Sequence, residues 1–321
     1  MTPHANHSEQ EGPDAESSRE DEGRRLHYGG FYGLEELSVD ERPRLAVYGN
    51  CQAEALRVAI GTAEAVHSVR MPPVHELTEQ DLPYLDRVLT WADVLFAQSV
   101  ADGYRGLPLG TAQVAARMRP QARVLRAPNY FCTVLYPEQV LVRHDDPRVV
   151  DPPVVPYHDV RRLGRAAGWS GPDQAPAEAV RMAAQESLAE LERRERDQGS
   201  LVISDAVRDA GSDAGWTVDH PGNPVLLALA QRVVDEVAHG ATVHDPGRVL
   251  LASVQTPLRA QVLDALGLDG DPRRHWVVDG REIDDEEVGS AHREFYAGHP
   301  RVVEVGTSKK AEVLKRLGWH P

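Results

Sequence analysis

The stretch that most constrains the fold is Leu45-Ala46-Val47-Tyr48-Gly49-Asn50-Cys51-Gln52, followed over residues 53–60 by apolar residues at helical spacing. Four consecutive apolar residues ended by Gly-Asn read as a buried strand, and the pattern directly after the turn reads as a helix. The unit recurs. Val94-Leu95-Phe96-Ala97 ends at Gln98-Ser99, and Arg123-Val124-Leu125-Arg126-Ala127 runs into Pro128-Asn129-Tyr130. Strands separated by helical stretches predict an α/β fold: a parallel sheet flanked by helices.

The rest of the chain divides by composition. Residues 1–25 are charged and poor in apolar side chains, a composition that does not offset its ordering entropy, so a disordered acidic tail is expected. Residues 26–245 are expected to form the catalytic α/β domain. They include an amphipathic helix over 176–198, a strand at Leu201-Val202-Ile203-Ser204 and an apolar helix over 224–238. Residues 246–321, with strand candidates Val249-Leu250-Leu251 and Trp276-Val277-Val278, read as a C-terminal α/β extension or lid. No internal repeat is visible.

Charge and cysteine usage narrow the function. The net charge of −15 is spread along the chain, and an anionic surface repels phosphate backbones, which argues against a nucleic-acid partner. No stretch approaches the roughly 18 uninterrupted apolar residues of a membrane span, and the N-terminus lacks a secretory apolar segment, so a cytoplasmic protein is expected. The two cysteines, Cys51 and Cys132, lack metal-type spacing, and the 14 histidines include no HExxH or HxH pair; no metal is expected.

In an open α/β sheet, ligands bind beyond the carboxyl ends of the strands. Three loops bring polar residues to that edge: Gly49-Asn50-Cys51-Gln52, Gln98-Ser99 and Asn129-Tyr130. Cys51 falls at a predicted helix N-terminus, where unpaired N–H groups and the helix dipole lower a thiol's pKa, so it is the expected nucleophile. Gly49 permits the sharp turn, and Asn50 and Gln52 offer amide donors to an oxyanion. Cys132, in an apolar context, reads as structural. A thiol engaged in acyl transfer needs a proton acceptor, for which His220 in Asp219-His220-Pro221 is the first choice. His158 is its rival, with Asp159 either orienting the ring or capping a helix. Asp219 and Asp205 are candidates to orient an imidazole, although an extended backbone would turn Asp219 away from His220.

Taken in order, Val47-Tyr48-Gly49-Asn50-Cys51-Gln52-Ala53, Ala97-Gln98-Ser99, Pro128-Asn129-Tyr130-Phe131, Tyr157-His158-Asp159 and His220-Pro221 resemble the WcbI-type polysaccharide-biosynthesis family over about residues 44–240. The resemblance implies an SGNH-hydrolase-like fold and an acetyltransferase that takes coenzyme A or acetyl-coenzyme A as co-substrate, without a metal. It aligns Gly49-Asn50-Cys51 with the Gly-Asp-Ser block of that fold and puts Cys51 in the nucleophile's place. It sets Gln98 and Asn129 near the acyl carbonyl and assigns cofactor contacts to Gly49, Asn50 and Gln52. Ser99, Tyr130, His158 and Asp159 complete the substrate edge. One departure stands out: where the fold's late block reads Asp-x-x-His, the residue three before His220 is Thr217.

Three functions follow as expectations. The first is coenzyme A-dependent transfer of an acyl group to a glycan or small-molecule hydroxyl or amine, through Cys51 and a histidine. The second is an esterase or thioesterase using the same cysteine with water as acceptor. The third is a non-catalytic coenzyme A- or sugar-binding protein, which a high-pKa Cys51 would favour. Coenzyme A carries phosphates, so a basic patch is expected despite the net negative charge; Arg161-Arg162…Arg165 and Lys309-Lys310…Lys315 are the two local clusters, and each also reads as an ordinary solvated helix face.

Overall fold

Alternation within the first strand sets the layers of the molecule. Along β1 (Arg44–Tyr48), Leu45 and Val47 enter one apolar core, while Ala46 and Tyr48 enter another on the opposite face. The helix α1 (Cys51–Gly61) covers the first face with Leu56 and Ile60, and α2 (Leu82–Trp91) covers the second with Leu85, Val88 and Leu89. A strand buried on both faces has no polar side to alternate with, which is why β1 and β3 (Val94–Gln98) read as continuous apolar runs. The computed structural model describes residues 21–321. Residues 1–20, most of the expected tail, lie outside the described residues, and residues 21–27 are helical.

With β2 (His67–Ser68) and β4 (Arg123–Ala127) the sheet has four parallel strands in the order β2-β1-β3-β4. The α/β expectation is met. The chain steps from β1 outward to β2, then returns to place β3 on the other side of β1. The sheet therefore has its topological switch point between β1 and β3, the place where open α/β sheets leave a crevice. The register pairs Tyr48 with Ala97 and Gln98 with Ala127, so the loops after all three strands emerge level with one another.

Beyond the sheet, β5 (Gln139–Val140) and β6 (His158–Asp159) form a short antiparallel ribbon leading into α3 (Val160–Ala166). The amphipathic helix appears as α4 (Ala177–Gln198), and the apolar helix, after α5 (Ser204–Ala210), as α6 (Asn223–Val237). Two expected strands are absent. Residues 201–203 are not a strand because the buried Glu195 carboxylate accepts from Ile203 N (2.7 Å), Ser204 N (2.8 Å) and Ser204 Oγ (2.8 Å), taking the donors a ladder would use. Residues 249–251 are not a strand because Leu250 N bonds to Asn223 Oδ1 (2.9 Å) and Leu251 adopts φ +54°.

The C-terminal segment carries an antiparallel sheet, β7 (Val254–Gln255), β8 (His275–Val278) and β9 (Arg281–Asp284), with α7 (Ala260–Leu266), α8 (Asp285–Gly298), α9 (Pro300–Lys309) and α10 (Ala311–Arg316). Its Trp276 and Trp319 are buried in the same apolar core as Leu56 and Val47. Trp276 stacks on Tyr157, ring centroids 6.2 Å apart. Among the described residues no helix is long and apolar enough to cross a membrane.

Candidate active site

The turn after β1 is shaped by what lies behind it. A side chain on Gly49 would be driven into the Gln98 carboxamide, whose Oε1 instead accepts from Asn50 N at 2.9 Å. Asn50 caps α1, its Oδ1 accepting from Gln52 N at 2.9 Å, and Cys51 opens the helix.

Gln52, expected to offer an amide to an oxyanion, has a different role. It is buried, and its nitrogen donates to Tyr130 O (2.9 Å) and Asp219 O (2.6 Å). Its oxygen accepts from Tyr130 N (3.0 Å) and Gln98 Nε2 (2.8 Å). All four hydrogen-bonding positions of the carboxamide are taken, so no proton is left for a substrate. Gln52 joins the loops after β1, β3 and β4 to the segment that carries His220. Around it, Asn129 Nδ2 donates to Ser99 O (3.0 Å), and Arg194 on α4 donates to the carbonyls of Asn129 (2.8 Å) and Phe131 (2.9 Å).

His220 arrives on a tight loop. Trp216 N bonds to His220 O (2.8 Å), Gly222 N to Ala214 O (3.0 Å), and His220 N to Thr217 Oγ1 (3.1 Å). A side chain on Gly222 would collide with the Asp213 carbonyl, so the loop closes this tightly only with glycine there. Cys132 N holds Val218 O at 2.7 Å, while the buried Cys132 thiol sits against Ser187 Oγ, in keeping with a structural role. The result brings His220 Nε2 to 3.8 Å from Cys51 Sγ, across 169 residues of sequence.

Among the described residues no carboxylate completes a triad. Asp219 accepts from Tyr157 Oη (2.7 Å) and Thr217 Oγ1 (2.9 Å), and His220 Nδ1 is buried without a partner among the described residues. Burial lowers the His220 pKa below its ordinary value, and the Asp219 charge pushes back. Asp205 is engaged with Arg232 at 2.7 Å. Cys51 departs from expectation. Its thiol is pushed up to about 11, first by burial and then by the Asp219 charge, against the helix-terminal N–H groups of Cys51 and Gln52. Desolvation outweighs the helix N-terminus here.

The structure does not bring His158 and Asp159 to the sulfur. His158 is fully buried with Nδ1 2.9 Å from Tyr296 Oη, and its ring lies beside His292. Asp159 caps α3 through Arg161 N (2.8 Å) and pairs with the Arg161 guanidinium (2.6 Å). Arg161, expected on a solvated face, is buried between Asp159 and Glu138.

Cys51 and Asn50 line a hollow of about 240 Å³ with Tyr28, Met71, Pro72 and Pro73. Val74 N bonds to Gly49 O (2.8 Å), which fixes this wall against the turn. Sequence reasoning missed the wall, although Met71-Pro72-Pro73 signals a forced extended segment. It named Tyr157 and Thr217 without foreseeing their links to Asp219, which are visible only in three dimensions. Among the described residues no group of three His, Cys, Asp or Glu side chains is placed to hold a metal ion.

No curated protein matches the sequence. The fold is similar to a solved structure of WcbI, a polysaccharide biosynthesis enzyme, described as the native protein without a disulfide bond between coenzyme A and one of its cysteines. The TM-score is 0.66 at 19% identity, over 86% of this chain and 98% of that one. Residues 44–242, more than half of the chain and the whole of the Cys51–His220 site, match the family model described as polysaccharide biosynthesis enzyme WcbI. The chain belongs to the WcbI family of polysaccharide biosynthesis enzymes.

Proposed function

We propose that this protein is a coenzyme A-dependent acyltransferase in which Cys51 takes the acyl group and His220 moves the proton. The observation that carries the reading is the 3.8 Å contact between Cys51 Sγ and His220 Nε2, with Cys51 also lining the hollow. The apolar wall of Tyr28, Met71, Pro72 and Pro73 suits a thin, uncharged arm such as the one that bears the thioester. The solved WcbI structure, described as the native protein without a disulfide bond between coenzyme A and one of its cysteines, supports the same choice of cofactor.

A thiol held near 11 is protonated at neutral pH, so its proton must leave as the sulfur attacks. Cys51 forms the new C–S bond and passes its proton to His220 Nε2. The thioester C–S bond then breaks, and the departing coenzyme A thiolate takes that proton back. In the second half, His220 accepts the proton of a hydroxyl or amine attacking acyl-Cys51 and returns it to the released Cys51 sulfur. Asp219 steadies the imidazolium through space, since its charge favours the protonated ring. The Asn50 side-chain nitrogen, its Oδ1 being used in the cap, and the Cys51 backbone N–H are the donors to the oxyanion. In the SGNH-like reading, Thr217 stands where an aspartate would be and holds the loop rather than the ring. The acceptor is a glycan or small molecule.

One observation favours a second reading, a non-catalytic coenzyme A-binding protein: the Cys51 pKa is raised rather than lowered. Isothermal titration with coenzyme A and acetyl-coenzyme A, followed by mass spectrometry, separates the two. Transfer requires binding and an acetylated Cys51 peptide that is absent in Cys51→Ala. Binding with no acylation supports the second reading, release of acetate without acceptor supports a thioesterase, and no binding removes coenzyme A from the assignment.

A further inference from the structure

The hollow beside Cys51 carries Glu54 and Glu76 and no basic side chain among its lining residues, so it is unsuited to a phosphate. A second hollow of about 500 Å³ is the opposite. In a chain of net charge −15 it gathers Arg161, Arg162 and Arg165 from α3, Arg259 at the foot of α7 and Arg293 from α8. It adjoins β6, directly after Tyr157, whose hydroxyl holds Asp219 next to His220.

The arginines fall into two layers. In the inner one, Arg161 is locked between Asp159 (2.6 Å) and Glu138 (3.2 Å), and Arg162 pairs with Asp285 at 3.0 Å. Arg259 reaches Glu138 at 3.0 Å but stands 3.7 Å from both Asp159 and Asp285, so part of its guanidinium is loosely held. In the outer layer, Arg165 pairs with Asp173 and Arg293 with Glu286, carboxylates that are 90% and 76% exposed. Surface pairs of this kind contribute little and exchange readily. Arg165 is meanwhile oriented from below, its guanidinium 5.1 Å from the centre of the Trp319 ring, so the cation stays in place when its carboxylate leaves.

We propose that this hollow binds the phosphate or pyrophosphate group of a nucleotide-sized ligand, with Arg165 and Arg293 exchanging their surface carboxylates for phosphate oxygens and Arg259 contributing from beneath. Guanidinium forks suit that geometry. The inference deepens the proposed acyl transfer and rests on it only for the source of the ligand: the phosphates of coenzyme A, or those of a phosphorylated sugar acceptor. Binding itself requires neither Cys51 nor His220.

The test is isothermal titration of the full chain with pyrophosphate, adenosine 3′,5′-bisphosphate and a uridine diphosphate sugar, on wild type, Cys51→Ala and the double variant Arg165→Ala/Arg293→Ala. The altered arginines are exposed, and a melting curve checks that the double variant folds. Wild type and Cys51→Ala should bind at least one probe alike, and the double variant should bind it about tenfold or more weakly. Failure of wild type to bind any probe, or equal binding by the double variant, would overturn the proposal. Displacement of the bound probe by coenzyme A assigns the hollow to the cofactor, and a ternary complex assigns it to the acceptor. If coenzyme A does not bind at all while arginine-dependent probe binding persists, the acyltransfer reading falls and the phosphate site stands.

Discussion

His220 and His158 are both set in largely buried surroundings, and burial lowers the pKa of each, yet the two regions do opposite things with a neutral imidazole. The His220 ring meets a thiol at 3.8 Å and has the Asp219 charge nearby. His158 meets the Tyr296 hydroxyl and a second buried histidine, His292, and is pushed down to about 3 by burial and then by that neighbour. Desolvation alone therefore does not set what a buried ring can do. What separates the two is the group each ring faces and the charge beside it: His220 faces a thiol with the Asp219 charge nearby, whereas His158 faces a phenol and a second imidazole.

The sharpest way to break this comparison is to delete each ring. His220→Ala should slow acylation of Cys51 by acetyl-coenzyme A about 10²–10⁴-fold while leaving the melting temperature close to that of wild type. His158→Ala should leave the acylation rate of the folded fraction within a few-fold of wild type and lower stability instead. The reverse pattern in rapid-quench mass spectrometry would exchange their roles.

A smaller effect lies in the pH dependence of stability. His158 and His292 are both held neutral, His292 down to about 4. For a folded pKa depressed below the unfolded value, the stabilising contribution is present above about pH 6.5 and is lost as pH falls toward the folded pKa. Urea unfolding between pH 6.5 and 4 should show a loss of up to about 1.4 kcal/mol per pH unit for each ring. His158→Gln should flatten that slope, and an unchanged slope would remove His158 from the account.

The smallest effect concerns Cys51 itself. Alkylation should be slower at pH 8 than for a free cysteine and should rise toward a midpoint near 11. Asp219→Asn, which removes a charge that raises the thiol, should shift the midpoint down. A midpoint near 8.5 in wild type would show that the helix terminus prevails over burial.

How much of this was legible in advance depends on the range of the interaction. The runs that became β1 and β3, the helix after Cys51, and α4 and α6 are written in consecutive residues, because side-chain period is a local property. Residues 201–204 were misread because their strand-like composition is overruled by Glu195 on a preceding helix. Gln52 was misread for a similar reason. Its position beside Cys51 is consistent with oxyanion binding, and only the four partners that saturate it, drawn from three other segments, exclude that role.

By itself, then, the sequence determined a parallel α/β sheet with Cys51 at the start of a helix on its carboxyl edge, since apolar period, glycine-bearing turn and helix start are all read from neighbouring residues. The tertiary structure decided the rest. It set His220 rather than His158 against the sulfur, turned Asp219 toward Tyr157, raised the thiol's pKa and gathered arginines from three helical segments into one hollow. The physical reason is that burial and Coulomb interaction depend on distances in space, and those distances are set by chain segments far apart in sequence.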